Sequence, residues 1–313
     1  MTRGPAHAHP LQGIALVLVA AACFAGLDSS TRALTQASGR WHMPVLVVLT
    51  SRYTLQAVVM AIWLAPRGRA GFAAAHPRFQ ALRGGLLLAT SLCSFFGVSL
   101  MPVPEYTAIN MITPLLVTVL AATVLHERVS TLRWALVAGG FAGTLVVIRP
   151  GSGAFGWVVA LPVLGAIAYA SFQVLTSRLA GAEDPLTTHF YTGFVGAACL
   201  LPALAAATSV QGLAWTARMD ASGWGLLALG GALGTAGHLL LILALGRAGT
   251  ATLMPFVYTQ IGFAALIGVV AFGHWPDGWA LAGMAVIAAC GASSAALNLR
   301  RPGAAAPAAA VDI

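Results

Sequence analysis

Apolar runs of about 20 residues recur along the whole 313-residue chain, and short segments rich in proline, glycine and arginine separate them. A helix of that length crosses roughly 30 Å of hydrocarbon. Charged residues make up only 8% of the chain, whereas soluble domains contain about 25%, so a water-exposed surface cannot be built from them. The sequence therefore predicts an all-α integral membrane protein.

The runs and their breaks predict about ten transmembrane helices. Prolines mark several of the breaks, for example Pro102, Pro150 and Pro276. The predicted spans are Leu11–Leu27, Pro44–Leu64, Leu82–Leu100, Tyr106–Leu125, Leu132–Ile148, Phe155–Leu175, His189–Ala207, Trp224–Leu245, Ala251–Phe272 and Trp279–Leu297.

The basic residues predict the orientation of these spans, and all sixteen of them are arginines. With ten spans and a cytoplasmic amino terminus, eleven arginines lie in cytoplasmic segments, Arg83 among them, four lie on the opposite side, and Arg52 lies within the second span. Basic residues concentrate on the cytoplasmic side of membrane proteins. We therefore expect a multi-pass protein of the cell inner membrane with both termini in the cytoplasm. The net charge of +8 then reflects topology, and we expect no nucleic-acid partner.

A division near Gly151 gives two halves of five spans each, so the second half enters the membrane in the opposite orientation. The segment Ala108–Glu127 is similar to Pro255–His274, which supports an internal duplication. Inverted repeats of this kind are typical of secondary transporters. We predict two inverted five-helix repeats, the first over residues 1–150 and the second over residues 151–300. Residues 301–313 are rich in alanine and proline and are predicted to form a disordered cytoplasmic tail.

Two stretches resemble the EamA-type members of the drug/metabolite transporter superfamily. PVPEYTAINMITPLLVTVLAATVLHERV and RWALVAGGFAGTLVVIRPG, within Pro102–Gly151, resemble the fourth and fifth helices of that family. Gly231–Ile287 resembles its eighth to tenth helices. The Pro-Phe-x-Tyr motif at Pro255–Tyr258 is most similar to the branch that contains S-adenosylmethionine uptake carriers. The resemblance implies two inverted repeats, a central cavity, and alternating access without nucleotide hydrolysis.

The sequence departs from the family pattern at the end of the ninth span. The family usually has Phe-Gly-Glu there, whereas this chain has Phe272, Gly273 and His274. At the matching end of the fourth span, Glu127 keeps the acid. The replacement puts in doubt any role for an acid at the outer end of the ninth helix.

Polar and ionisable residues inside the predicted spans are the candidates for a binding site, because such groups are costly in hydrocarbon and are usually paired or functional. If the first two spans are neighbours, Arg52 can reach Asp28 and neutralise it. The two residues then either form a structural ion pair or take part in substrate binding or proton coupling. Asn110 shares a helix face with Thr113, and Pro114 removes a backbone hydrogen bond there, which indicates either a cavity or a packing kink. The predicted substrate-binding residues are Asp28, Arg52, Asn110, Tyr169, Gln173, His238 and Tyr258.

The later spans contribute the other candidates, each with a structural alternative. Tyr258 and Gln260 lie two residues apart, about 200° around a helix, so only one can face a cavity, and Tyr258 is favoured because it offers both a ring and a hydroxyl. His238 could carry a coupling proton or simply bind a neighbouring helix. Tyr169 and Gln173 are four residues apart and share a face.

These features favour a secondary transporter that moves a small metabolite or drug-like solute, such as an amino acid or an S-adenosylmethionine-like compound. No motif for nucleotide hydrolysis, a metal site or a serine hydrolase is present, and the four cysteines lie in apolar runs, so we expect no enzyme activity and no cofactor. The alternative is a membrane-embedded enzyme acting on a lipid-linked substrate, with His238 and Asp28 as acid and base. The expected partners are the solute and the lipid bilayer, and the oligomeric state stays open.

Overall fold

The computed structural model describes residues 10–124, 130–149, 156–179, 182–248, 253 and 256–300. Within these ranges the secondary structure is helical, without a β-strand. The helices are α1 (Pro10–Thr35), α2 (Val45–Leu64), α3 (Gly68–Gly71), α4 (Pro77–Leu100), α5 (Val103–Asn110), α6 (Thr113–Val124), α7 (Thr131–Ile148), α8 (Ala160–Leu179), α9 (Pro185–Gln211), α10 (Ala221–Leu245), α11 (Thr259–Phe272) and α12 (Gly278–Arg300). Three 3-10 turns lie at Ala65–Arg67, Gly156–Val159 and Ala214–Arg218.

Seven helical segments of the described chain are long and apolar enough to cross a membrane, and three shorter apolar helices accompany them. The shorter ones are Trp134–Val147, Thr259–Phe272 and Gly278–Ser293. These ten segments correspond one by one to the predicted spans, which confirms an all-α membrane protein with about ten helices. The expected tail over 301–313 lies outside the described residues.

The first helix continues well beyond its predicted end at Leu27, through a polar stretch to Thr35. Hydroxyl groups in this stretch donate to carbonyls one turn earlier in the same helix: Ser30 Oγ to Gly26 O at 2.7 Å, and Thr31 Oγ1 to Leu27 O at 2.9 Å. A polar group that is satisfied within its own helix needs no partner elsewhere, so the polar residues do not end the helix.

The first five apolar helices pack against the last five. Helix α1 packs on α10 and α11, α2 on α9 and α10, α4 on α8 and α9, and α7 on α12. Glycines bring the last pair into close contact: a Cβ atom on Gly143 would lie 2.9 Å from Gly283 O, and one on Gly283 would lie 2.6 Å from Gly143 O. Small residues at such crossings are typical of membrane helices.

Candidate functional site

A narrow cavity lies within the larger hydrophobic cluster, between α1, α8, α10, α11 and the junction of α5 with α6. In this conformation it has room for only about one or two water molecules, so a metabolite fits only if the helices move apart. The lining residues are Val17, Ala20, Ala21, Phe24, Asn110, Met111, Thr113, Tyr169, Gln173, Leu241, Val257 and Gln260.

A helix break positions the polar side of the cavity. Helix α5 ends at Asn110, the chain turns at Met111, and α6 begins at Thr113. Pro114 has no N–H to donate to the carbonyl of Asn110, so a continuous helix would lose a hydrogen bond at this point. Asn110 at the end of α5 and Thr113 at the start of α6 both line the cavity, as a break that serves a cavity requires.

Three oxygen atoms at the cavity are buried and have no hydrogen-bond partner among the described residues: Asn110 Oδ1, Thr113 Oγ1 and Gln173 Oε1. An unpartnered buried polar atom costs about 1–3 kcal/mol. Three of them at one small cavity are therefore costly in isolation. A solute that donates hydrogen bonds to these oxygens would offset this cost.

Aromatic rings form another wall of the cavity. Phe24 and Tyr169 line it, and both rings contact the imidazole of His238, with ring centroids 4.7 Å and 6.4 Å away. The Tyr169 ring also stacks on Phe172 at 5.7 Å, with an angle of 8° between the planes. These rings give a flat solute an apolar surface to stack on.

A buried polar cluster lies behind this wall. Arg52 donates from Nη1 to Ser91 Oγ at 2.8 Å, and its Nη2 lies 3.2 Å from His238 Nδ1. His238 Nδ1 also lies 2.9 Å from Gly234 O. The two contacts exclude each other, because Nδ1 either accepts from Arg52 or carries a proton and donates to the carbonyl. His238 is therefore held by its neighbours in either tautomer.

The prediction of a direct ion pair between Asp28 and Arg52 is wrong. Asp28 Oδ1 accepts from Ser94 Oγ at 3.1 Å, whereas Arg52 binds Ser91 and His238. The two serines lie on α4, three residues apart, so this helix offers a separate neutral partner to each charged group. Sequence reasoning considered only α1 and α2 and could not foresee the contribution of α4.

The expectation that Tyr258 faces the cavity is also wrong, because Gln260 lines it instead. The Tyr258 ring packs against small residues of other helices: a Cβ atom on Gly291 would lie 2.9 Å from Tyr258 Cγ, and one on Gly140 would lie 3.6 Å from its hydroxyl. The opposite orientation of the two side chains was expected. Which of them faces the cavity depended on Gly140 of α7 and Gly291 of α12, which leave space for the Tyr258 ring.

Among the seven predicted residues, Asn110, Tyr169 and Gln173 thus line the cavity. Asp28, Arg52 and His238 lie behind its wall, and Tyr258 lies outside it. Sequence reasoning missed Phe24 and Gln260 as lining residues. The pairing of Gln260 with a helix break was visible in the sequence, whereas nothing distinguished Phe24 from other aromatic residues of the spans.

Arg83, expected in a cytoplasmic segment, is fully buried between α4, α8 and α9. Its Nε donates to Thr176 Oγ1 at 2.7 Å, and its Nη1 donates to Thr188 O at 3.0 Å and Thr192 Oγ1 at 2.8 Å. The guanidinium also lies 4.7 Å from the centroid of the Phe172 ring. The partners are about 90 to 110 residues away in sequence, so an arginine near a span end gave no signal of burial.

The departure from the family pattern at His274 has a clear structural result. His274 Nε2 lies 2.9 Å from Glu105 Oε1, which joins the end of α11 to the start of α5. At the same end of the bundle, Arg32 donates to the carbonyls of Val98 and Met101 and so links α1 to the end of α4. A glutamate at position 274 would instead bring two carboxylates together, so the histidine turns a repulsive contact into an attractive one.

The described residues contain no group of three histidine, cysteine, aspartate or glutamate side chains that could hold a metal ion.

Comparisons with known proteins agree with this architecture. Residues 11–149 match the EamA-like transporter family. The riboflavin transporter of Rhizobium johnstonii is 30% identical, over 61% of this chain and 61% of its own length. The S-adenosylmethionine uptake transporter of Rickettsia felis is 26% identical, over 75% of this chain and 78% of its own. The riboflavin transporter of Vibrio cholerae is 24% identical, over 89% of this chain and 91% of its own length.

A solved crystal structure shares the fold, with a TM-score of 0.66 and 19% sequence identity over 95% of this chain and all of the other. The names of the family and of the relatives point to a transporter rather than an enzyme, which does not support the alternative of a membrane-embedded enzyme. The chain is thus similar to the EamA-like transporter family over residues 11–149 and to the named transporters over 61–89% of its length.

Proposed function

We propose that this protein is a secondary transporter of the inner membrane, with both termini in the cytoplasm, that carries a small metabolite by alternating access. The observation that carries the proposal is the group of three unpartnered oxygens, from Asn110, Thr113 and Gln173, at a cavity between transmembrane helices of both halves. A cavity of this composition binds a polar solute at membrane depth. The three relatives named above are all transporters by name, which supports the same function.

The helix contacts support two inverted repeats, residues 1–150 and 151–300, as the basis of this function. If α1 corresponds to α8, α2 to α9 and α4 to α10, each contact between the halves has a counterpart: α1 with α10 matches α8 with α4, and α2 with α10 matches α9 with α4. The glycine contacts follow the same rule. Gly84 of α4 meets Val195 of α9, and Gly231 of α10 meets Leu55 of α2.

The cavity follows this symmetry as well. The segments that begin at Ala108 and Pro255 correspond, so Asn110 and Thr113 are equivalent to Val257 and Gln260, and all four line the cavity. A solute bound there lies between equivalent elements of the two halves. Rocking one half against the other then widens the cavity toward either side of the membrane in turn.

The relatives suggest the class of solute. Riboflavin and S-adenosylmethionine both contain a flat nitrogen heterocycle joined to a sugar or sugar alcohol with free hydroxyl groups. The cavity has matching features, with the Phe24 and Tyr169 rings on one wall and unpartnered oxygens on the other. We therefore propose a solute of this type, with the ring against the aromatic wall and its hydrogen-bond donors toward Asn110 and Gln173.

Counterflow in proteoliposomes that contain only this protein tests the proposal. Vesicles are preloaded with unlabelled riboflavin or S-adenosylmethionine, and uptake of the labelled compound is measured, which requires no knowledge of a coupling ion. Gln173→Leu should lower uptake at least about tenfold, since it removes the oxygen that a bound solute would use. Tyr258→Phe is the matched control, because Tyr258 lies outside the cavity, and it should retain the uptake of the native chain.

Mass spectrometry of the recovered solute separates transport from catalysis, because a transporter returns the compound unchanged. Absence of counterflow for both compounds and their close analogues would refute the proposal. Equal loss in the Gln173→Leu and Tyr258→Phe variants would refute the assignment of the cavity as the binding site.

A further inference from the structure

Two arginines are buried in the bundle with only neutral partners. Arg52 is 2% exposed and binds Ser91 and His238, and Arg83 is 0% exposed and binds threonine oxygens. No carboxylate of the described residues forms an ion pair with either guanidinium. Arg52 Nε and Arg83 Nη2 also have no hydrogen-bond partner in the described part of the chain.

The described acids do not balance these charges near the cavity. Asp28 is buried beside Ser94, and Glu105 is bound to His274 at the outer end. Two guanidiniums therefore face one nearby carboxyl group, and the balance is positive whether Asp28 is ionised or protonated. A proton on His238 would only add to it.

Each guanidinium contacts a ring that in turn contacts a residue lining the cavity. Arg52 contacts His238, whose ring touches the lining residues Phe24 and Tyr169. Arg83 lies on the ring of Phe172, which stacks on Tyr169. Salt screens charges poorly in such a buried region, and the low dielectric strengthens their interaction, so a positive field reaches the cavity.

The hydroxyl partners of Arg83 do not require an arginine. Thr176 Oγ1 already donates to Phe172 O at 2.7 Å, and Thr192 Oγ1 donates to Thr188 O at 2.9 Å. Burying a cation without a counter-charge is costly in a membrane protein. The group that would offset this cost is the negative charge of a ligand.

We propose that the cavity selects its solute by charge, favouring an anionic or neutral compound over a cation of the same size, and that Arg83 is the main specificity-determining residue. This inference rests on the proposed function, and it narrows the solute class. Selection by charge distinguishes between compounds that the aromatic wall and the unpartnered oxygens alone would bind equally well.

Two pairs of compounds test the inference, because the members of each pair share a scaffold and differ in charge. S-adenosylhomocysteine lacks the sulfonium methyl group of S-adenosylmethionine and hence one positive charge, and flavin mononucleotide adds a phosphate to riboflavin. In each pair the more negative compound should bind the detergent-solubilised protein more tightly, by roughly tenfold for one unit charge at a distance of about 10 Å. Arg83→Gln should bring the ratio within each pair close to one, whereas Arg83→Lys should keep most of the preference because it keeps the charge.

A second measurement does not depend on solute binding. In a chain whose four native cysteines are replaced by serine, the variant Ala21→Cys provides a thiol at the cavity. Its reaction rates with an anionic and a cationic methanethiosulfonate are compared with those of a free thiol. The anionic reagent should be favoured, and Arg83→Gln should remove the preference.

The outcomes separate the two proposals. Equal or tighter binding of the more positive compound in each pair, or equal relative rates of the two reagents, would overturn the charge assignment alone. If none of the four compounds binds while the anionic reagent still reacts preferentially, the proposed solute class fails and the positive cavity stands. If the Arg83→Gln and Arg83→Lys variants lose the preference equally, Arg83 acts through geometry rather than charge and is not the specificity-determining residue.

Discussion

Adjacent glycines at the start of α4 offer a sharp test of the helix packing. A Cβ atom on Gly84 would lie 2.7 Å from Val195 Cβ and 2.9 Å from its Cγ1, whereas no described atom lies within 4 Å of a Cβ atom on Gly85. Val195 is β-branched and stiff at χ1, so it cannot rotate away. Gly84→Ala should therefore force α4 and α9 apart, and Gly85→Ala should fit without strain.

The difference between the two variants isolates the steric cost. Alanine gains about 1 kcal/mol of helix propensity over glycine at either position, and this gain cancels in the comparison. Overpacking costs about 1–3 kcal/mol. With roughly 2–4 °C in melting temperature for each kcal/mol, Gly84→Ala should melt about 2–12 °C below Gly85→Ala.

Scanning fluorimetry of the purified protein in detergent measures this difference through the tryptophan signal, at one fixed scan rate because unfolding of such proteins is often irreversible. A double variant provides the control: Val195→Ala should restore much of the stability lost by Gly84→Ala, since it makes room for the added methyl group. Equal melting temperatures of Gly84→Ala and Gly85→Ala would refute the close packing of α4 on α9.

Three further predictions concern charged groups. His274→Glu should lower the melting temperature at neutral pH by placing two carboxylates together where α11 ends beside the start of α5, and acidification should restore it, as scanning fluorimetry across pH will measure. The Gly223 amide, with Trp41 and Ser222, holds the pKa of Asp220 well below its usual range. Its stabilising effect should be complete at neutral pH and be lost only as the pH falls below about 4, and Asp220→Asn should abolish that pH dependence. Arg83→Met should leave the melting temperature unchanged or raise it, because the substitution removes a buried charge that has no counter-charge. A marked decrease would instead show that the hydrogen bonds of Arg83 stabilise the packing of the helices.

The number of helices and the helix break at Asn110 could be predicted from the sequence, because both depend on local features: long apolar runs and a proline that cannot donate a hydrogen bond. The partners of Arg52 and Arg83 could not be predicted from the sequence. Each of them lies on a helix far away in the chain, and the choice between Tyr258 and Gln260 depended on where glycines of other helices leave space. Properties of one helix are thus readable from sequence, whereas contacts between helices require the packed structure.

Buried polar side chains in this bundle differ in whether the fold itself satisfies them. A serine or threonine within a helix usually donates to a carbonyl one turn earlier, as Thr31 does, and the same would hold for Thr113 in a continuous helix. Thr113 begins α6 after a break, so its hydroxyl has no such partner among the described residues. Amide side chains depend on other residues: Gln80 binds both Thr188 and Arg83, whereas the oxygen of Gln173 has no described partner. Three of the unsatisfied groups of the described residues, those of Asn110, Thr113 and Gln173, lie at the cavity, where a bound solute can use their hydrogen-bonding capacity.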